Sequence, residues 1–189
     1  TPIERITETG IQTIAEHHQF DIIIYATGFD AVTGAFDKID IVGEAGQKLR
    51  DKWIDGPLTV YGLAVNGFPN MLTLAGPQSG SVATNFPRGI EEAVDWCSGM
   101  LEHIFDNRID YFNAWQAAEN SWSEHVHEMS ERILFGKEQS WFTGYNSNVD
   151  RQYRQQCLIY AGGQIRFRQF LKEESAQSYP SFEMRQSGG

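Results

Sequence analysis

Two apolar segments of the chain each end in a small residue followed by glycine. The first is Ile24-Tyr25-Ala26-Thr27-Gly28 and the second is Leu74-Ala75-Gly76-Pro77-Gln78. Glycine at the C-terminal end of a buried strand lets a ligand approach the backbone closely, and open α/β sheets bind ligands at that end. A helix predicted to begin a few residues after Gln78 adds free N–H groups and a positive dipole end. The pattern therefore favours binding of a phosphate or an electron-rich ring.

Other chemistries find weaker support. His125 and His127 are two residues apart, so on a helix they point about 200° apart and cannot share one metal ion; no metal site is expected. Gly76–Gly80 misses the G-x-S-x-G nucleophile pattern by one position, which disfavours a hydrolase. A late group of basic residues fits either a phosphate site or a solvent-exposed face. These residues are Arg151, Arg154, Arg166, Arg168 and Lys172.

Composition limits the class of protein. The 189 residues are 41% hydrophobic and carry a net charge of −10, so we expect one folded domain, or a large piece of a bigger one, without affinity for nucleic acid or anionic lipid. The Ile22–Ala26 apolar run is far shorter than the roughly 20 residues of a membrane span. Cys97 and Cys157 form no disulfide framework, which indicates a reducing, cytoplasmic setting. Because the chain opens with Thr1 and runs directly into patterned sequence, we expect it to be the interior of a longer protein.

The order of predicted elements gives an α/β fold. A hairpin is predicted over residues 2–15, a short strand over 39–42 and a short helix over 49–53. Continuous apolar runs predict buried strands over 21–26, 71–75 and 157–161. Helical periodicity predicts helices from Pro87 to Asn107, from Asn113 to Gly136 and from Ile165 to Ser175, with a frayed tail from Ala176. The buried face of the first long helix is predicted to hold Ile90, Val94, Cys97, Leu101, Ile104 and Phe105.

Several ordered motifs resemble those of Baeyer–Villiger monooxygenases, a class of flavin-dependent enzymes. The segment Phe20–Asp30 is similar to the ATG-type linker of that family, and Gly67-Phe68-Pro69-Asn70-Met71 with Ala75–Ser79 and Thr84-Asn85 is similar to its flavin-side motif. Ser140–Gly144 and Tyr160-Ala161-Gly162-Gly163 resemble its late loop and last strand. The likeness extends from Ile3 to Phe182.

The resemblance implies a fold with two Rossmann-like dinucleotide-binding domains, for FAD and NADPH, of which this chain is the C-terminal segment. Residues 1–28 would finish the NADPH domain and residues 29–189 would complete the FAD domain. No G-x-G-x-x-G motif is present, and the family's catalytic arginine lies upstream of the linker. The resemblance thus implies no catalytic residue in this chain and no activity without the N-terminal part. The implied reaction inserts one oxygen atom from O2 next to a ketone carbonyl, giving an ester or lactone.

The resemblance also implies roles for individual residues. Trp141 matches a tryptophan that contacts NADP, and Phe142 follows it toward the substrate. Gln78, Asn85 and Phe86 match positions beside FAD, with Thr27 and Gly28 at the crossing between the two domains. The loop of Ser81, Val82 and Ala83 matches one that borders the ketone pocket. Two alternatives remain open at this stage, an N- or S-oxidising flavin monooxygenase of the same class and a non-enzymatic α/β binding module.

Overall fold

The computed structural model describes residues 1–26, 28, 32–80, 85–134, 140–145 and 157–186, leaving aside the side chain of Trp141. Over these residues the strands are β1 (Ile3–Thr7), β2 (Gly10–Thr13), β3 (His17–Gln19), β4 (Ile109–Ala114) and β5 (Phe182–Gln186). The helices are α1 (Gly34–Asp37), α2 (Leu49–Lys52), α3 (Phe86–Asp106), α4 (Gln116–Ser130) and α5 (Gln164–Ala176). Single 3-10 turns span Glu44–Gly46 and Trp141–Thr143. The mixed α/β composition expected from the sequence is confirmed, and so is the short helix near residue 49.

Strands β1, β2 and β3 form an antiparallel meander. Thr7 pairs with Gly10 across the first turn, and Gly10 pairs with Gln19 on the other side. The predicted hairpin is therefore confirmed. Residues 17–19 add a third strand, because their backbone groups complete the free edge of β2.

The segment after this sheet departs from its prediction. Residues 21–26 were expected to be a strand buried on both faces, yet they form no regular element, and Ile22 and Ile24 are 78% and 84% exposed. A strand of this apolar type needs neighbours on both edges and both faces. The described residues supply neighbours neither at the edges nor on the faces of this segment, so residues 21–26 do not form the predicted strand.

Helices α3, α4 and α5 enclose the main core. Asn85 caps α3 by accepting from the Arg88 amide at 3.4 Å, and Pro87 occupies the first turn, which suits a residue without an N–H. The helix ends at Asn107, as predicted. Helix α4 is shorter than expected, because residues 109–114 form β4 before it begins. The members of the core that these helices contribute are Ala93, Trp96, Cys97, Met100, Ile104, Trp122, Val126, Met129, Phe167 and Leu171.

The buried face of α3 is rotated from the predicted one. Val94, Leu101 and Phe105 were expected inside but are exposed, because Trp96 and Met100 take the inward positions instead. The Trp96 ring packs edge-on against Tyr179 at 5.4 Å, and its indole donates to the Leu171 carbonyl at 3.1 Å. The indole is the larger apolar group, so burying it stabilises the fold more than burying Val94.

The segment from Ala176, predicted to be a frayed tail, instead includes strand β5. Strand β5 pairs antiparallel with β4, with Phe112 opposite Met184 and Ala114 opposite Phe182. The Glu174 carboxylate fixes the preceding turn by accepting from the Ser181 amide at 2.8 Å and the Ser181 hydroxyl at 2.9 Å. The described part of this tail, up to Gln186, thus belongs to the folded structure, with Phe182 in the main core.

Three more short strand predictions are wrong for this structure. Residues 71–75 and 157–161 have no strand ladder, and near residues 39–42 there is only an isolated bridge between Val42 and Lys48. Residues 157–160 are nevertheless buried, as their apolarity requires. They bond irregularly to a loop, with the Gln78 amide donating to Leu158 at 2.7 Å and the Tyr160 amide to Ser79 at 3.1 Å. In the described part of the chain, no helix has both the length and the apolarity to cross a bilayer.

A second, smaller core lies under α1 and α2, where Leu49, Trp53, Val65 and Phe68 pack together. A buried ion pair joins it to α4. The Lys52 ammonium lies 2.9 Å from Glu119, which is 1% exposed and also accepts from the Asn66 amide at 2.8 Å. Burial raises the pKa of Glu119 despite the hydrogen bonds from Lys52 and Asn66.

Candidate functional site

The loop of residues 76–80 connects the predicted flavin-side residues. Gln78 has φ +65° and is buried. Its side-chain oxygen accepts from the Thr59 hydroxyl at 2.9 Å and from the Ser123 hydroxyl at 3.1 Å. Its backbone oxygen accepts from the Trp122 indole at 3.3 Å. The described contacts of Gln78 therefore fix the loop against the core, and they compensate for a left-handed conformation that costs roughly 1–2 kcal/mol.

Aromatic rings form the floor beneath this loop. Trp122 lies at the centre, with the Tyr61 ring at 4.9 Å and the Tyr160 ring at 5.0 Å. His125 lies 5.6 Å from Trp122, and its Nε2 is 3.4 Å from the Tyr160 hydroxyl. Burial lowers the pKa of His125, and the charge of Arg166 lowers it further. The imidazole is therefore neutral at pH 7 and offers one donor and one acceptor.

The start of α3 is the most exposed part of this region. Phe86 is 49% exposed, beside the cap residue Asn85. A recess of about 10 Å³ lies behind it, lined by Gly80, Gly89 and Phe167 among others. That volume holds a water molecule and nothing larger. A flat ring would therefore fit against the exposed end of the helix, and not inside the recess.

A charged cluster joins α3 to α5. Glu92 accepts from Arg168 Nε at 2.8 Å, from a second Arg168 nitrogen, and from the Gln164 side-chain amide. Burial alone would raise the pKa of Glu92, but the hydrogen bonds from Arg168 and Gln164 outweigh it and hold the pKa below its usual value. Glu92 is therefore a carboxylate at neutral pH. We call Glu92, Gln164 and Arg168 the Glu92 cluster.

The structure brings together some of the predicted site residues. Gln78, Asn85 and Phe86 lie on the loop and helix start just described. Phe142 is partly buried against the main core, and its carbonyl accepts from the Leu158 amide at 2.8 Å. Since Leu158 in turn accepts from Gln78, the Trp141–Thr143 turn and the 76–80 loop lie on either side of the same buried segment. Gly28 has φ +67°, and within the described part of the chain no atom lies within 4 Å of a Cβ position on it.

Several predicted residues cannot be placed. Thr27, Ser81, Val82 and Ala83, as well as the side chain of Trp141, lie outside the described residues, as do Arg151 and Arg154 of the late basic group. Arg168 of that group is paired with Glu92, which favours a structural role over a free phosphate site. Among the described residues, no group of three or more His, Cys, Asp or Glu side chains has an arrangement that could hold a metal ion.

Sequence reasoning did not single out Gln164 or Thr59. The partner of Thr59 lies far along the chain, so no local signal marks it. Gln164 and Arg168 are four residues apart on one helix, which puts them on the same face. From the sequence alone, this spacing indicates that the two side chains could bind the same partner.

Comparisons with known proteins agree in sequence and in structure, although a scan against protein-family models finds no match. The chain is 36% identical over 183 residues to 2-oxo-Delta(3)-4,5,5-trimethylcyclopentenylacetyl-CoA monooxygenase of Pseudomonas putida, covering 97% of this chain and 34% of that protein. It is 40% identical over 146 residues to cyclopentanone 1,2-monooxygenase of Comamonas sp., covering 77% of this chain and 26% of that protein. It is also 31% identical to phenazine N-monooxygenase PhzNO1 of Lysobacter antibioticus, covering 96% of this chain and 33% of that protein.

Solved structures give the same result. The fold matches the crystal structure of OTEMO complexed with FAD and NADP with a TM-score of 0.86 at 36% identity, covering 97% of this chain and 33% of that one. It matches a closed crystal structure of cyclohexanone monooxygenase with a TM-score of 0.89 at 32% identity, covering 98% of this chain and 34% of that one. Fold and sequence therefore define an α/β segment of the flavin-dependent monooxygenase class.

Within that class, the chain is a homologue of the C-terminal segment of Baeyer–Villiger monooxygenases, which confirms the resemblance inferred from its motifs. The chain spans about a third of the length of the curated relatives it matches.

Proposed function

We propose that the chain is the C-terminal part of an FAD- and NADPH-dependent Baeyer–Villiger monooxygenase that inserts one oxygen atom from O2 next to a ketone carbonyl. The observation that carries this proposal is 36% identity over 97% of the chain, together with a match to a structure that contains FAD and NADP. The flavin, when bound and reduced, supplies the activation of O2. The residues of this chain bind and orient the cofactors and exclude water.

The exposed start of α3 fits the flavin. The first-turn N–H groups of the helix beside Asn85 and Phe86 carry the positive end of its dipole, which stabilises negative charge on a reduced ring. Gln78 serves the same site through the loop that it holds in place. Trp141 is the proposed contact to NADP, because an indole N–H suits a ribose or phosphate oxygen. Ser81, Val82, Ala83 and Phe142 are the proposed borders of the ketone pocket.

We propose a division of the chain between two domains at Thr27 and Gly28. Neither core cluster includes a described residue from 1–28, whereas residues 36–184 supply both. This supports residues 1–28 as the end of an NADPH domain and residues 29–189 as part of an FAD domain. The exposed apolar side chains around Ile22 and Ile24 would then contact an N-terminal part of the enzyme. A reducing, cytoplasmic setting completes the proposal and agrees with two free, buried cysteines.

The test uses the enzyme that contains this chain together with its N-terminal part. Native mass spectrometry should show bound FAD and NADP. NADPH oxidation should rise when a ketone is added, and 18O2 should place one labelled atom in an ester or lactone product. A stable chain that carries neither cofactor, and no ketone-dependent oxidation, would contradict the proposal.

A second reaction is supported by one specific observation. The phenazine N-monooxygenase matches almost the whole chain at 31% identity, so the same segment also serves an enzyme named for oxidation at nitrogen. The product distinguishes the two reactions. With paired ketone and aromatic nitrogen substrates, a labelled ester or lactone supports the first proposal, and a labelled N-oxide supports the second.

A further inference from the structure

The Glu92 cluster lies where three parts of the candidate site meet. Glu92 belongs to α3 and accepts from Gln164 and Arg168 of α5. Both carboxylate oxygens are engaged, one by the arginine and one by the amide. The Glu92 side chain is only 12% exposed and that of Arg168 is 40% exposed, so the carboxylate end of these bonds is largely shielded from water. A shielded, charge-assisted arrangement of this kind fixes geometry as well as adding stability.

The third part is the loop that ends at Gly80. A Cβ atom on Gly80 would lie 2.8 Å from the Gln164 side-chain oxygen and 3.2 Å from the Phe167 ring. The loop therefore packs directly on the first turn of α5 at a position where only glycine fits without displacement. The same Gln164 side chain lies within ordinary contact distance of a Cβ on Gly89 in α3. The Gln164 side chain thus lies between the loop and α3 and sets the distance between them.

These contacts control the part of the molecule proposed to receive the flavin. Asn85 and Phe86 begin α3 two turns before Glu92, and Gln78 and Gly80 belong to the loop beside them. Among the described residues, no other ion pair joins α3 to α5. The remaining side-chain hydrogen bond between the two helices runs from the Trp96 indole to the Leu171 carbonyl, farther along both helices. Glu92 therefore supplies the charged link that holds the first turns of α3 to α5, on which the loop packs.

We propose that Glu92 is a positioning residue for the flavin. It acts through Gln164 and Arg168 and holds the start of α3 at the spacing from the Gly80 loop that the flavin requires, without touching the flavin itself. This inference rests on the proposed function. If the spacing relaxes, the flavin binds less tightly, and water reaches it, so NADPH is consumed without oxygen transfer to substrate.

The experiment compares the FAD-loaded, full-length enzyme with its Glu92→Gln and Arg168→Lys variants. Two quantities are measured, the dissociation constant for FAD and the fraction of consumed NADPH that appears as oxygenated product and not as hydrogen peroxide. Glu92→Gln should raise the FAD dissociation constant about tenfold, the effect of one charge-assisted hydrogen bond, and should lower the product fraction. Arg168→Lys, which keeps the charge and loses the fork, should have a smaller effect in the same direction.

The control is Glu91→Gln, the neighbouring carboxylate, which is exposed and faces Arg88 at 3.5 Å. It should match the wild type in both measurements. A purely structural role would lower the unfolding temperature of the apo-enzyme without changing the product fraction at temperatures where the variant is fully folded, and that result would overturn the inference. So would wild-type values in both variants. Failure of the wild type to bind FAD would instead overturn the proposed function, and this inference with it.

Discussion

Backbone contacts at glycine residues set how closely the loops of the site approach one another. Gly62 has φ +70°, and a Cβ there would lie 2.5 Å from both the amide nitrogen and the Cβ of Ser79. A Cβ on Gly162 would overlap the hydroxyl and the ring of Tyr160. Neither contact can be relieved by rotating a flexible side-chain tip alone, so packing requires both glycines, and at Gly62 the positive φ favours glycine as well.

Gly62 and Gly46 form a matched pair for testing this. Both have positive φ, but no atom of the described residues lies within 4 Å of a Cβ position on Gly46. Gly46→Ala should destabilise the fold by about 1 kcal/mol through backbone strain. Gly62→Ala should cost about 1–3 kcal/mol more because of the clash with Ser79. Urea unfolding of the two variants measures the difference, and equal losses would show that the clash is relieved.

The two cysteines should be chemically silent in the native protein. Burial raises the pKa of the Cys97 thiol to about 11 and also raises that of Cys157. Since the thiolate is the reactive form, only about one in a thousand Cys97 thiols is reactive at pH 8. Iodoacetamide at pH 8, followed by peptide mass mapping, should leave both residues unmodified until urea is added. Rapid labelling of Cys97 without urea would contradict its burial.

At the scale of the secondary-structure elements, the Asn70 side chain extends the β4–β5 sheet. Its amide donates to the Phe112 carbonyl at 2.9 Å, its side-chain oxygen accepts from the Phe112 amide at 2.9 Å, and its side-chain nitrogen donates to the Asp110 carbonyl at 2.9 Å. Asn70 thus forms hydrogen bonds along the edge of β4 that is not paired with β5. Its φ of +57° is one that asparagine tolerates better than most residues.

Removal of this side chain should open the free edge of β4. Asn70→Gly keeps the positive φ and loses two hydrogen bonds, so it should destabilise the fold by about 1–3 kcal/mol. The local readout is hydrogen exchange, in which the Phe112 amide should exchange faster than in the wild type. Asn70→Ala should cost more, because it adds backbone strain. Unchanged protection of Phe112 would show that the amide has another acceptor.

The α3–α5 link should weaken in acid. The pKa of Glu92 is lower in the folded state than its ordinary value of 4.5, so below about pH 4.5 the unfolded chain binds a proton that the folded chain does not. The stability from Glu92 is therefore present above that pH and is lost as the pH falls through the folded pKa. In urea unfolding from pH 7 to pH 3.5, the difference between wild type and Glu92→Gln should shrink with acidification. Parallel curves would contradict this role of Glu92.

The long helices and the first hairpin could be predicted because their signals are local. Caps such as Asn85 and Asn107 and a period near 3.6 identify α3 without any tertiary knowledge. Strands β4 and β5 were missed because their partners lie far apart in the chain, and residues 182–186 have no meaning as a strand until β4 is beside them. The apolar run from Ile22 was predicted to be a buried strand because continuous apolarity is typical of a strand with neighbours on both faces. The described residues do not supply those neighbours.

The candidate site was predictable only in part. Motif resemblance pointed to Gln78, Asn85 and Phe86, and the structure does place these residues on one loop and helix start. Motif resemblance could not show that the Gln78 side-chain oxygen accepts hydrogen bonds from Thr59 and Ser123. Nor could motif resemblance show the Glu92 cluster, since its three polar side chains on two helices share no sequence motif.

At the scale of the whole molecule, many of the exposed apolar side chains belong to two parts of the described chain. The N-terminal surface consists of Ile3, Ile6, Ile14, Phe20, Ile22, Ile24 and Tyr25, and the α3 surface consists of Phe86, Val94, Leu101 and Phe105. Exposed apolar patches mark sites of contact with other protein segments. The two surfaces therefore support the proposed contact with an N-terminal part of the enzyme.

The 189-residue chain by itself should self-associate through the N-terminal surface. Ile24→Lys should weaken that association about tenfold or more, since burying one isoleucine is worth roughly 1.5–3 kcal/mol. Ile54→Lys, at an exposed isoleucine outside both surfaces, is the matched control and should have little effect. Sedimentation velocity over a range of concentrations measures the association. A monomeric wild-type chain that unfolds cooperatively without FAD would contradict this prediction and favour an autonomous binding module.

The pairing of β4 with β5 has a consequence for biosynthesis. A ribosome completes β4 long before it makes residues 182–186, and the edge of β4, together with the faces of Trp96 and Phe112 that β5 and its turn cover, stays uncovered during that time. Contacts between distant parts of a chain form late and slowly, and unpaired strand edges attract other chains. The nascent protein therefore most needs chaperone protection between the synthesis of β4 and the synthesis of residues 182–186. By the end of that interval α3, α4 and α5 are already complete.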